Sequence, residues 1–193
     1  MKLLEKSFFE KETLNVAQEL LGKFIVRETG EGRIVGKIVE TEAYLKDDPA
    51  CHASKGKTPR NLPMFEEGGV AYVYFTYGMY HCFNVVTNKK GIGEAVLIRA
   101  VEPVEGMEIM KGNRGITEIK NLCNGPSKFA IAFGIDKGFN GVDLTDKNSS
   151  LKLMQGKNEN FEIIKTNRVG ISQGTDLLYR FYIKGNDWVS RRG

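Results

Sequence analysis

The stretch KIVETEAYL, Lys37 to Leu45, decides the fold. Its side chains alternate as they do on an extended strand. Val39, Thr41, Ala43 and Leu45 fall on one face, and Glu40, Glu42 and Tyr44 fall on the other together with Ile38. Glu40 and Glu42 are two strand positions apart, roughly 7 Å at the strand rise. Taken alone, this row reads as the wet face of a half-buried antiparallel sheet. Two nearby acids also admit a glycosidase pair, because retaining glycosidases hold their carboxyls about 5 Å apart. Base rates for exposed acids favour the wet face by about three to one.

Working outward, KFIVRET reads as a second strand, joined to the first by a turn at Gly30 to Gly32 as a hairpin. Before it, Leu14, Ala17, Leu20 and Leu21 recur at helical spacing, and Gly22 is placed to end that helix. After the opening strand, residues 46 to 69 are polar and rich in Lys, Pro and Gly. A loop of this length within a compact domain is usually functional or disordered. VAYVYFTYGMYHCFNVVT, Val70 to Thr87, reads as two strands around a turn near Tyr77-Gly78. Tyr72 and Tyr74 share a face on the first, as do Tyr80, Cys82 and Asn84 on the second. AVLIRAVEP is a further strand, EPVEGMEIMKGN is expected as a helix, and Pro126 opens another helix that Gly134 stops. Short strands are expected at FEIIKT and LLYRFYIKG. Strands and helices mix without a βαβ rhythm. The expected fold is α+β: one domain over residues 1–193, with a curved, mostly antiparallel sheet, surrounding helices and a protruding β-hairpin.

Composition narrows the function. The chain has 193 residues, 41% hydrophobic and 27% charged, as in an ordinary globular protein. No apolar run is long enough to span a bilayer, and the N-terminus lacks a secretory pattern, so cytoplasmic residence, at a bacterial nucleoid, is expected. The three cysteines are widely spaced and there are two histidines, a poor set for a disulfide framework or a structural zinc site. A net charge of +4 and a pI near 8.9 permit a nucleic-acid partner without demanding one.

Several residues invite chemistry. Arg99 is a cation among apolar neighbours and calls for an acidic partner. Tyr77 and Met79 put bulky groups at a hairpin tip, where turns carry small polar ones, and such groups suit a wedge between base steps. Ser127 and Lys128 open a helix and could meet a phosphate, or simply cap the helix. Lys57 and Arg60 belong to the basic loop. No P-loop, GxGxxG, GxSxG, HExxH or zinc-deaminase signature is present.

In order along the chain stand IVETEAY, a His in a short basic loop, TPRN with MF close behind, YVYFTYGMYHCFN, VLIRAVEPVEG, GPSK, RVG and RFYIKGNDWVS. This series resembles the alkyladenine (3-methyladenine) DNA glycosylases of the mammalian type, from about Phe8 to Ser190. The resemblance implies a monofunctional hydrolase, without metal or redox cofactor, that flips a damaged purine out of double-stranded DNA and cuts its N-glycosidic bond. It implies Glu42 as general base for the attacking water, with Arg99 and the Val169 carbonyl holding that water. Tyr44, His52 and Tyr74 would wall the flipped base, Leu97 would line its pocket, and Asn84 would hinder the amino group of normal guanine. Tyr77, with Met79 beside it, would fill the gap left in the duplex. Lys57, Arg60, Ser127 and Lys128 are expected along the DNA backbone. Glu40 is expected as a structural or supporting partner. A monomer is expected, since one site on one duplex needs no symmetry. The loop between Tyr44 and His52 is one residue shorter than the family pattern. A lesion-binding module on the same fold, and a small nucleoside or sugar hydrolase using Glu40 and Glu42, are the competing readings.

Overall fold

The computed structural model describes residues 1–76, 78–157 and 159–191. Its spine is the predicted opening strand. β2 (Gly32–Tyr44) follows β1 (Phe24–Thr29) through the expected hairpin turn. The first half of β2 pairs with β1, and Glu40 to Glu42 pair with β8 (Arg180–Ile183) along the same edge. The opposite edge of β2 pairs with β5 (Ala95–Glu105) from Val35 to Tyr44. The ladder continues through β4 (Tyr80–Val86) to β3 (Ala71–Thr76) on one side, and through β1 to β6 (Leu151–Met154) on the other. β7 (Ile163–Thr166) joins β8. Every pairing is antiparallel, and the sheet curls.

Helices cover this sheet. α1 (Lys6–Phe9) and α2 (Thr13–Glu19) precede β1. α2 is tied to β2 where the Thr41 hydroxyl donates to the Ala17 carbonyl at 2.7 Å. α3 (Met107–Arg114) and α4 (Pro126–Ala132) follow β5. α4 packs edge-to-face on β4 through Phe129 and Phe83, with ring centroids 6.0 Å apart. Full burial of rings of this size contributes about 1.5–3 kcal/mol each. Gly36 permits a close approach: a Cβ there would lie 2.2 Å from Val101 Cγ1 and 3.0 Å from the Phe133 ring.

Two expectations are corrected. The helix expected from Glu102 begins only at Met107, because Glu102 to Glu105 stay in the ladder and Gly106, at φ 79°, turns the chain. The wet-face reading of β2 fails as well. Glu40 and Glu42 are completely buried, since the sheet is covered where they stand. Strict alternation also breaks there. Relative to β5, Val39 is an extra residue on β2 and Arg99 an extra residue on β5, two opposed bulges one step apart. Such bulges re-aim side chains.

Candidate active site

The register sets Tyr72, Asn84, Leu97 and Glu42 side by side across β3, β4, β5 and β2. Tyr74 pairs with Cys82 one strand step away, and Tyr44 pairs with Ala95 on the other side. Over this row opens a cleft of about 520 Å³, a size suited to a small ring-shaped ligand. Its lips are two loops, one contributing Pro49, Ala50 and His52, the other Val169 to Gln173.

At the end of the row the bulged Arg99 stands between two carboxylates. Its Nε donates to Glu40 Oε1 at 3.0 Å, and its Nη1 lies 3.3 Å from Glu42 Oε1. Burial alone would lower the guanidinium pKa, but Glu42 and Glu40 outweigh it and hold the group above its ordinary value. The two acids differ in what else they hold. Glu40 also accepts from Arg180 Nε at 2.7 Å, the Ser190 hydroxyl at 2.9 Å and the Ser190 amide at 2.6 Å. Glu42 accepts the Val169 amide on Oε1 at 2.8 Å and the Tyr44 hydroxyl on Oε2 at 2.8 Å. Burial, then the Glu42 carboxylate, push the Tyr44 phenol well above its ordinary pKa, so it remains a proton donor.

Arg168 lies behind Tyr44, its guanidinium centre 4.7 Å from the ring centroid. Its Nη1 and Nη2 both reach the Asp48 carboxylate, the latter at 2.9 Å, and Nη1 also donates to the Ala43 carbonyl at 3.1 Å. Asp48 precedes Pro49 and Arg168 precedes Val169, so this buried pair joins the two lips at their roots.

The other wall is His52, Tyr72 and Tyr74. His52 meets Tyr74 edge-to-face at 4.5 Å, and its Nδ1 lies 2.9 Å from the Tyr72 hydroxyl. Burial and the nearby Arg60 cation lower the imidazole pKa, which favours the neutral ring. Burial raises both phenols, that of Tyr72 to about 12. The buried Asn61 of TPRN fixes the loop, donating to the His52 carbonyl at 2.8 Å and the Gly56 carbonyl at 3.0 Å. Arg60 lines the cleft with its guanidinium 5.5 Å from the Tyr74 centroid.

The remaining expected residues scatter more. Asn84 and Leu97 are in the cleft, Asn84 donating to the Tyr72 carbonyl at 3.0 Å. Ser127 lines the cleft, while Lys128 Nζ is bonded to Asn124 at 2.8 Å and Asn121 at 3.3 Å. Lys57 is exposed, 5.0 Å from the Phe65 centroid. Met79 is 66% exposed at the hairpin, and Tyr77 lies outside the described residues. Val169 meets Glu42 through its amide. Sequence reasoning gave no role to Asp48, Arg168, Arg180, Ser190 or Asn61. Four of these sit in quoted blocks, as the Arg of RVG, the first Arg of RFY, the Ser of WVS and the Asn of TPRN. Asp48 in the polar loop carried no signal.

Fold and cleft together set a buried carboxylate–arginine pair beside an aromatic slot. Comparison supplies the class. Residues 7–187 match the family model described as methylpurine-DNA glycosylase (MPG). A protein of Francisella tularensis named "Putative 3-methyladenine DNA glycosylase" is 49% identical over 183 residues, covering 94% of this chain and 95% of that protein. One of the same name from Carboxydothermus hydrogenoformans is 50% identical over 191 residues, covering 98% and 100%. The chain therefore belongs to the methylpurine-DNA glycosylase family, DNA-repair hydrolases of N-glycosyl bonds. Among the described residues no helix is long and apolar enough to cross a membrane.

Proposed function

We propose that this chain flips alkylated or deaminated purines out of double-stranded DNA and hydrolyses their N-glycosidic bond, opening base excision repair. The substrate class includes 3-methyladenine, 7-methylguanine, hypoxanthine and ethenoadenine. The observation that carries the reading is Glu42, buried beside an aromatic-walled cleft and clamped by Arg99, Tyr44 and Val169. A carboxylate offers about four acceptor positions. The Val169 amide and the Tyr44 hydroxyl fill two of them, the Arg99 cation stands 3.3 Å from Oε1, and a position left on Oε2 is our proposed place for a water.

The chemistry follows from charge. As the C1′–N bond breaks, its electron pair leaves with the base and C1′ becomes oxocarbenium-like. The Glu42 carboxylate stabilises that cation and takes a proton from the water whose oxygen bonds to C1′. The products are a free base and an abasic sugar. Tyr44 faces the base from one wall and His52 with Tyr74 from the other, Leu97 floors the slot, and Asn84 opposes the guanine amino group. Met79 and Tyr77 enter the gap in the duplex. Ser127, at the cleft, and the exposed Lys57 are the proposed contacts to the strands. Lys128, engaged by Asn121 and Asn124, is left out of that set. Glu40 is closed to acid–base work by its donors, which disfavours the paired-carboxylate hydrolase. One protomer suffices for one duplex.

The test is single-turnover excision from a duplex bearing one hypoxanthine or ethenoadenine, read by alkaline cleavage at low salt. Wild type should release the base, and Glu42→Gln should bind without release. If wild type binds but releases nothing, even from methylated DNA, the protein is a lesion-binding module.

A further inference from the structure

We infer that Arg60 is a charge filter of the base cleft, disfavouring cationic purines against neutral ones. The inference rests on the glycosylase reading and narrows its substrate class. The charged side chains lining the cleft are Arg60 and Arg99, both cationic. Arg99 is neutralised by Glu40 and Glu42. Arg168, behind the opposite wall, is neutralised by Asp48. Arg60 forms no ion pair among the described residues, so its charge is the uncompensated one at the slot.

The geometry holds that charge against the wall. The guanidinium lies over Tyr74, and Nη2 donates to the Phe75 carbonyl at 3.3 Å. Its chain neighbour Asn61 is buried and braces the loop from inside. An aromatic face attracts a cation through its quadrupole. Arg60 already occupies that attraction on Tyr74, so a cationic purine resting on the wall meets a like charge instead. The field of Arg60 also reaches His52, whose imidazole it helps to keep neutral. The aromatic slot, which on ring electronics alone would favour cations, is thereby biased toward neutral lesions. At a separation of roughly 8 Å, Coulomb's law gives a bias between about twofold in bulk water and about thirtyfold at an effective dielectric near 20. Arg60 is exposed, so the low end, a few-fold, is expected.

The experiment compares single-turnover excision of hypoxanthine, which is neutral, and 7-methylguanine, which is cationic, in otherwise identical duplexes. Arg60→Gln should raise the 7-methylguanine rate relative to hypoxanthine by a few-fold, and Arg60→Lys should keep the wild-type ratio. An unchanged ratio in Arg60→Gln overturns the filter while leaving the glycosylase reading intact. Equal slowing on both bases, with a shallower salt dependence, makes Arg60 a phosphate contact and also overturns it. Release of neither base by wild type removes the underlying reading and the filter with it.

Discussion

Glu40→Gln is the sharpest perturbation this structure offers. The substitution keeps the side chain's shape and removes its charge. In the wild type, Oε1 takes Arg99 Nε at 3.0 Å, Arg180 Nε at 2.7 Å and the Ser190 hydroxyl at 2.9 Å, and Oε2 takes the Ser190 amide at 2.6 Å. A glutamine must turn its NH2 either toward the guanidinium groups or toward the Ser190 amide, a donor against donors in both cases. The Arg180 side chain is 2% exposed and that of Arg99 9%, so water cannot replace the lost partner. Breaking a buried ion pair of this kind costs roughly 3–5 kcal/mol, a large part of the 5–15 kcal/mol typical of a whole domain. The rate should suffer too. Arg99 loses its Nε anchor and retains Glu42 and a long contact from Nη2 to the Ser190 hydroxyl at 3.4 Å, and a displacement of about 1 Å at a reacting group costs roughly 100-fold. Urea unfolding paired with single-turnover excision would measure both losses. Ser190→Ala, which removes only the hydroxyl contacts, should cost about 1 kcal/mol and little rate. Glu40→Gln with wild-type stability and wild-type excision would refute the claim that Glu40 positions Arg99.

Asp48→Asn should release Arg168 and with it the lip that brings the Val169 amide to Glu42, lowering excision about tenfold or more and stability by about 3 kcal/mol. Lost stability with unchanged single-turnover excision would show that the clamp does not serve Glu42. For pH, the folded His52 is held below its ordinary 6.5, so between the two values the unfolded chain binds more protons. Stability should therefore fall as pH drops through about 6.5 and level off below the folded value. Urea midpoints across this range should show a flatter profile in His52→Gln, and identical profiles would remove the assignment.

The sheet was legible because its signals are local. The alternation of β2, the Gly30–Gly32 turn, the aromatic hairpin and the Pro126 helix start each act over a few residues. β6 and α1 were not expected from the sequence. Taken alone, the row of acids on β2 reads as a wet face because alternation reports that two faces differ and cannot report what covers them. Their cover is Arg99, Arg180 and Ser190, up to 150 positions away. The resemblance gathered the candidate residues, and the cleft brings Tyr44, His52, Tyr74, Asn84, Leu97, Arg99 and Val169 to one place. It did not supply the clamp between Asp48 and Arg168, because an acid in a polar loop looks like any solvated acid until its partner is seen.

The opposed bulges have a consequence for how this sheet can change. Val39 throws the β2–β5 ladder out of phase, and Arg99 restores it within one step, so the pairing is in phase on both sides. The fault is confined to the few residues around the arginine. Deleting Val39 alone would leave the fault uncorrected, shifting β2 by one residue and turning its core set toward the wrong face. Deleting Val39 and Arg99 together would heal this stretch of the ladder, leaving the separate shift at Val35 and Gly36, and would remove the arginine from between the two acids. In this chain the residue that restores the ladder and the arginine between Glu40 and Glu42 are one residue, so the ladder's correction cannot be lost without losing that arginine.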